Sequence, residues 1–209
     1  MKKIIFYIAL VLSPVVMHSQ SATALLDQVS EKVKSYDNIV IDFKYSISNK
    51  AESLAQETRG DVSLENNKYV LNLMGTTQLF DGNKLHVIIP EDEEINISNP
   101  NPESSLTPSK MLTFYQKGYT ATMDIEQSVN GRKIQYVKLV PTSASNEIKY
   151  ILLGIDKESK HIYKQILSQT NGTEITVTVN HFKVNQPLSS TLFNFDKSKY
   201  ADYYINRLD

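Results

Sequence analysis

The hydrophobic pattern changes period once, early in the chain. Across residues 21–36, SATALLDQVSEKVKSY, apolar residues recur at three- and four-residue steps through Leu25, Leu26, Val29, Val33 and Tyr36. That spacing predicts an amphipathic helix. From residue 38 the period is two. In NIVIDFKYSIS, Ile39, Ile41, Phe43, Tyr45 and Ile47 share one face, and Asp42, Lys44 and Ser46 share the other. Such alternation predicts an antiparallel strand with one buried face.

Period two then persists. GDVSLE alternates through Val62 and Leu64, and KYVLNLM through Tyr69, Leu71 and Leu73. Asp81–Gly82, Asn130–Gly131 and Asn171–Gly172 separate apolar runs and predict hairpin turns. The arm after Asp81–Gly82, LHVIIP, is unusual, because Leu85, Val87, Ile88 and Ile89 nearly fill both faces of a strand. Residues 192–196, LFNFD, read as a last short strand. About ten to eleven strands result, joined mostly by hairpins, without the strand–helix alternation of a parallel sheet. Residues 98–118 interrupt them with a Pro/Asn/Ser loop and a short helix over Pro108–Gln116. Met111, Leu112, Phe114 and Tyr115 make that helix apolar over most of its surface. The pattern alone leaves two arrangements open. Sheet and helices pack into a closed core, or they enclose a hydrophobic cavity with the 108–116 helix as its lid.

Composition narrows the class. With 209 residues, 41% hydrophobic and 22% charged, the chain is long enough to bury a sizeable core. A formal net charge of −1 supplies no basic footprint for nucleic acid. Lys2 and Lys3 precede an apolar run from Ile4 to Leu12, and a polar stretch ends near Ser19–Gln20. This is a secretory signal peptide. It leaves one mature domain, residues 21–209, expected to be soluble, monomeric and periplasmic. Cysteine is absent, so stability rests on packing without disulfides, and no lipid-attachment cysteine follows the signal.

Candidate chemistry is sparse. His86, His161 and His181 lie far apart without ligand companions, and there is no HExxH, no G-x-S-x-G elbow and no phosphate-cradling glycine loop. Glu91, Asp92, Glu93 and Glu94 lack the alternating spacing and glycine of a calcium loop, and read as a solvated turn flank. Tyr200, Tyr203 and Tyr204 read as a tail pinned by aromatic packing. The expectation is a protein that is not an enzyme and carries no metal or cofactor.

Four motifs occur in a fixed order: Gly60-Asp61-x-x-Leu64, Leu79-x-Asp81-Gly82-x-x-Leu85-x-x-x-x-Pro90, Thr107-Pro108-x-x-Met111-Leu112 and Phe193-x-Phe195. With the leading helix and the Ile41-Asp42-Phe43 strand, this order resembles LolA-type periplasmic lipoprotein carriers over nearly the whole mature chain. The resemblance implies an incomplete, strongly curved antiparallel β-barrel with helices covering an apolar cavity. It implies a carrier that takes acylated lipoproteins from an inner-membrane ABC transporter complex and delivers them to an outer-membrane receptor or membrane. The cavity lining would be Ile41, Phe43, Leu64, Leu71, Leu73, Val87 and Ile89, and the lid helix would present Met111, Leu112 and Tyr115. His86 and Ile88 would face outward, and the acids would keep the sheet edge unpaired with strangers. The alternative on the same scaffold is a lipid- or lipoprotein-binding sensor or a free-lipid transport module. Many such carriers place an arginine in the strand after the Gly-Asp pair, reaching to the lid; that position is Leu71 here. The aromatic usual after the hairpin leucine is His86.

Overall fold

A computed structural model describes residues 21–100, 108–143 and 147–208, so the expected signal peptide at 1–20 lies outside the described residues. Helix α1 (Ala22–Lys34) is followed by β1 (Asn38–Asn49), β2 (Leu54–Glu65), β3 (Lys68–Leu73), β4 (Thr76–Phe80), β5 (Leu85–Ile89) and β6 (Glu94–Ser98). A one-turn helix, α2 (Pro108–Met111), leads to β7 (Tyr119–Val129), β8 (Arg132–Pro141), β9 (Ile148–Asp156), β10 (Ile162–Gln169), β11 (Glu174–Val184) and β12 (Tyr204–Leu208). The strands form one curved, unclosed sheet in the order β12-β6-β5-β4-β3-β2-β1-β11-β10-β9-β8-β7.

Local sequence explains the elements. Ser21 caps α1, its hydroxyl accepting from the Ala24 amide at 3.1 Å, and Lys32 and Lys34 lie in the last turn where the helix dipole favours cations. Asn130 and Gly131 both have positive φ, as the two-residue hairpin between β7 and β8 requires. Met74 and Gly75 make the same kind of turn between β3 and β4, a hairpin the sequence reading did not mark.

The register sorts side chains onto two faces. Ile41 pairs with Val62 and Val62 with Leu71; Phe43 pairs with Gly60 and Gly60 with Leu73. All these lie on the inner face, which also carries α1. Leu25, Leu26 and Val29 of α1 pack on Val137, Leu139, Ile151, Leu153 and Ile155 of β8 and β9. A second cluster gathers Ile39, Ile41, Phe43, Val62, Leu64 and Tyr69. Val33 and Leu112 touch both clusters and join them into one core.

Three expectations are corrected. The sheet has twelve strands, and β12 pairs with β6 in parallel, the one parallel pair among the described strands. LFNFD is not a strand: residues 190–193 are turns, and Phe193 and Phe195 act as packing anchors. The apolar pattern was right about burial and wrong about backbone. The helix expected over Pro108–Gln116 is broken at Leu112–Thr113, so α2 is followed by a separate 3-10 turn, Phe114–Gln116.

Gly60 sits where a side chain cannot. An added Cβ would lie 2.6 Å from Cζ of Phe43 and 2.8 Å from the Asn72 carbonyl oxygen. The Phe43 ring therefore lies across the Gly-Asp motif. Gly60→Ala should lower stability by about 1–3 kcal/mol through overpacking. Urea denaturation will measure it, and adding Phe43→Leu should recover only part, since the clash with the backbone carbonyl remains.

Candidate functional site

The inner face divides into two halves. Over β7–β10 it is closed by α1, and Val29, Val137, Leu139, Leu153 and Ile155 are fully buried. Over β1–β3 and β11 it is less completely covered. Tyr45, Leu71, Leu73, Val177 and Val179 remain half-buried around the buried Ile41, Phe43 and Leu64. Helix α2 lies against β2 and β3 on this half. At its end, Tyr45, Ile47, Gln56, Glu57, Thr58 and Met74 surround a groove of about 310 Å³. That is at the lower end of the usual range of small-molecule sites, roughly 300–1,000 Å³.

Ile41, Phe43, Leu64, Leu71 and Leu73, named from the sequence, meet in this one cluster with Leu112. Val87 and Ile89 share the face by register, Val87 opposite Gln78 and Gln78 opposite Leu71, but neither belongs to the cluster. Tyr115 is buried on the α1 side, its hydroxyl without a partner, and burial followed by nearby Asp27 raises its pKa. The Met111 side chain lies outside the described residues. Sequence reading missed the wall that β11 supplies through Val177, Val179 and Phe182. The period-two run EITVTVNHF was the available signal.

The segment after α2 is fastened to α1. Gln116 Nε2 donates to Ser30 Oγ at 2.7 Å, and Tyr115 and Phe114 pack in the α1 cluster. Where α1 ends, the Tyr36 hydroxyl meets His161 Nε2 at 2.8 Å, and the His161 ring stacks on Phe182 at 4.0 Å. Leu71 offers no polar reach at the position of the family arginine. Val33 and Leu112 supply apolar contacts between this cover and the β1–β3 wall.

The opposite, outer face of β5 and β6 is not exposed. His86 and Ile88 do point away from the inner face, yet they are only 5% and 3% accessible. His86 stacks on Phe195 at 4.3 Å, and Ile88, Ile95 and Ile97 lie beneath Phe195, Tyr200, Tyr203 and Ile205. The C-terminal segment covers this patch, and β12 covers the β6 edge, so the acids do not guard an open edge. Glu91, Asp92 and Glu93 are exposed in the turn between β5 and β6, as expected. On the outer face of β2–β4, Asn72 donates to Asp61 at 2.9 Å and Thr77 to Asn72 at 2.7 Å, a self-satisfied polar network.

The family described as outer membrane lipoprotein carrier protein LolA matches residues 31–196, and the chain belongs to that family. No curated protein sequence matches it. Its fold is shared by an uncharacterized conserved protein from Thermus thermophilus, with a TM-score of 0.57 at 12% identity over 90% of this chain and 99% of that one. Lipoprotein LppX of Mycobacterium tuberculosis gives 0.50 at 17% identity over 80% and 97%. A LolA superfamily protein of Nitrosomonas europaea gives 0.43 at 12% identity over 85% and 99%.

Buried His86 and half-buried His161 set a pH dependence. Burial depresses the pKa of His161, Lys32 adds to this, and Asp156 opposes it. Burial likewise depresses His86, against opposing effects of Asp81 and the Leu79 backbone and a reinforcing one of Lys84. A histidine depressed in the fold takes up its proton more readily when unfolded. Stability should therefore be full above about pH 6.5 and fall as pH drops below it. Urea midpoints measured from pH 7.5 to about 5.5 should decline, and the double variant His86→Phe/His161→Phe should flatten that decline.

Proposed function

We propose that the protein is a periplasmic carrier that shields the acyl chains of lipoproteins against its inner face and moves them from the inner membrane to the outer membrane. The observation that carries this reading is the half-buried wall of Leu71, Leu73, Val177 and Val179, on which Val33 and Leu112 of the cover pack, in a chain of this family. Among the described residues no helix is long and apolar enough to cross a membrane.

Acyl chains cannot cross water bare. Each methylene kept from water contributes about 0.8 kcal/mol, so a lipoprotein's chains need tens of kcal/mol of shielding. An apolar wall supplies this without a polar grip, and no covalent step is needed. Release requires that the cavity hold the chains less well than the destination does. A cover in which α1, α2 and the Phe114–Gln116 turn move together fits that need. The open groove at the end of the wall, about 310 Å³, is too small for a lipoprotein's chains, so loading requires Leu112 and Val33 to part from the wall. The partners would be acylated lipoproteins, an inner-membrane ABC transporter complex for loading, and an outer-membrane receptor or membrane for unloading. The small groove also favours a second reading, in which the same wall takes a free single lipid, as a transport module or a sensor.

Native mass spectrometry of protein purified gently from the periplasm separates the two. An adduct of acylated protein supports the carrier, and a free-lipid adduct supports the second reading. A bare mass with no uptake of an apolar dye would mean the wall is only core. Leu71→Asp and Val177→Asp should each weaken dye binding at least about tenfold, the effect of placing a charge on an apolar wall. Their far-UV spectra should keep the β signature.

A further inference from the structure

The outer face is treated differently in its two halves. Over β5–β6 the chain covers its own apolar residues with the C-terminal segment. Over β8–β10 Ile134 and Tyr136 are buried on this face, whereas Leu152, Ile166 and Val140 reach solvent. Register places Lys138 of β8, Leu152 of β9 and Ile166 of β10 side by side on this face. The adjacent row runs from Tyr136 through Gly154 and Lys164 to Thr178, then to Lys44 and Arg59. Leu152 and Ile166 are half-exposed, and Val140 is 41% accessible.

Charge on these two rows is mostly basic, with Glu174 one row to the side of Lys138, Leu152 and Ile166. Lys138, Lys164, Lys44 and Arg59 face a single carboxylate in the two rows, Glu57, which pairs with Lys44 at 3.1 Å. Arg132 nearby is already paired with Asp156, and Lys157 with Glu126. Asp42 and Asp61 lie one row further on and bound the patch. Among the described residues Lys138, Lys164 and Arg59 thus form no ion pair, around half-exposed Leu152 and Ile166, with Asp42 and Asp61 on one flank and Glu174 on the other.

We infer that the outer face of β8–β10 docks the protein on anionic phospholipid. Neighbouring strands pair with β8, β9 and β10 on both sides, so these strands offer no free edge to an extended peptide. The cations are mostly lysines on flexible stems, without the fixed fork that reads a carboxylate on a protein surface. Lys138 Nζ lies 4.8 Å from the Tyr150 ring centroid, a pairing of amphipathic side chains suited to a headgroup layer. Docked this way, the inner face and its cover stay free for cargo. Each cation near an anionic surface strengthens association about fivefold at low salt, so three give about a hundredfold, weakened by screening.

The test is co-sedimentation of the delipidated full mature protein with phosphatidylcholine vesicles, with and without phosphatidylglycerol, at low and high salt. The wild type should bind the anionic vesicles at least about tenfold better, and salt should remove the difference. Lys138→Glu/Lys164→Glu should abolish the preference, whereas Lys34→Glu/Lys199→Glu, an equal charge change elsewhere, should reduce it far less. Equal binding to both vesicles, or equal losses in the two double variants, would overturn the inference. Failure of Lys138→Glu/Lys164→Glu to exchange cargo where wild type ignores anionic lipid would also overturn it, and would assign the face to an acidic protein. Melting curves check folding, and dye uptake, measured separately, reports the cargo site independently.

Discussion

One helix has to cover the inner face of a twelve-stranded sheet. Helix α1 has 13 residues, about 20 Å of length, whereas strands spaced about 4.8 Å apart make a sheet more than twice as wide even when curved. Leu25, Leu26 and Val29 therefore close the β8–β9 half completely and leave the β1–β3 half to Val33, Leu112 and a one-turn helix. Everything of functional interest follows from that shortfall. The half closed by α1 is the stable core. The half covered by small contacts is where the fold has apolar surface to lend.

The two faces show the same physics with different outcomes. On the inner face the cover is tied to α1 by the Ser30–Gln116 hydrogen bond and to the wall by dispersion and burial. On the outer face, Phe195, Tyr200 and Tyr203 seal β5 and β6 permanently enough to bury His86, while β8–β10 keep a basic apolar surface in water. On the carrier reading proposed above, the inner face would hold cargo and the outer face would meet the membrane, on a sheet that does not close into a barrel.

Much of this was legible in the chain. Period two placed Ile41, Phe43, Leu64, Leu71 and Leu73 on one face because only sterics and burial decide strand parity. The run Leu85–Ile89 was legible as anomalous but not as explained. It is apolar on both faces because the inner one continues the wall and the outer one is covered by a segment more than a hundred residues later. No local signal encodes that contact. Phe193 and Phe195 carried the right burial and the wrong backbone, since aromatic anchors in a loop read like a short strand. The parallel strand β12 was invisible because its partner, β6, is remote and its side chains Tyr204 and Leu208 stay exposed. The β11 wall was missed although its alternation was plain, because the motifs that drew attention lie on β2, β4–β5 and the lid segment.

The most direct test of the central claim is where the acyl chain lies. Methyl-labelled protein should be titrated with a soluble acylated peptide and followed by NMR, with contacts sought between chain and methyl protons. Contacts are expected to Leu71, Leu73, Val177 and Val179 with a displaced Leu112, while Val137 and Leu153 beneath α1 stay unchanged. Contacts confined to the outer face, or none at saturating peptide, would contradict it.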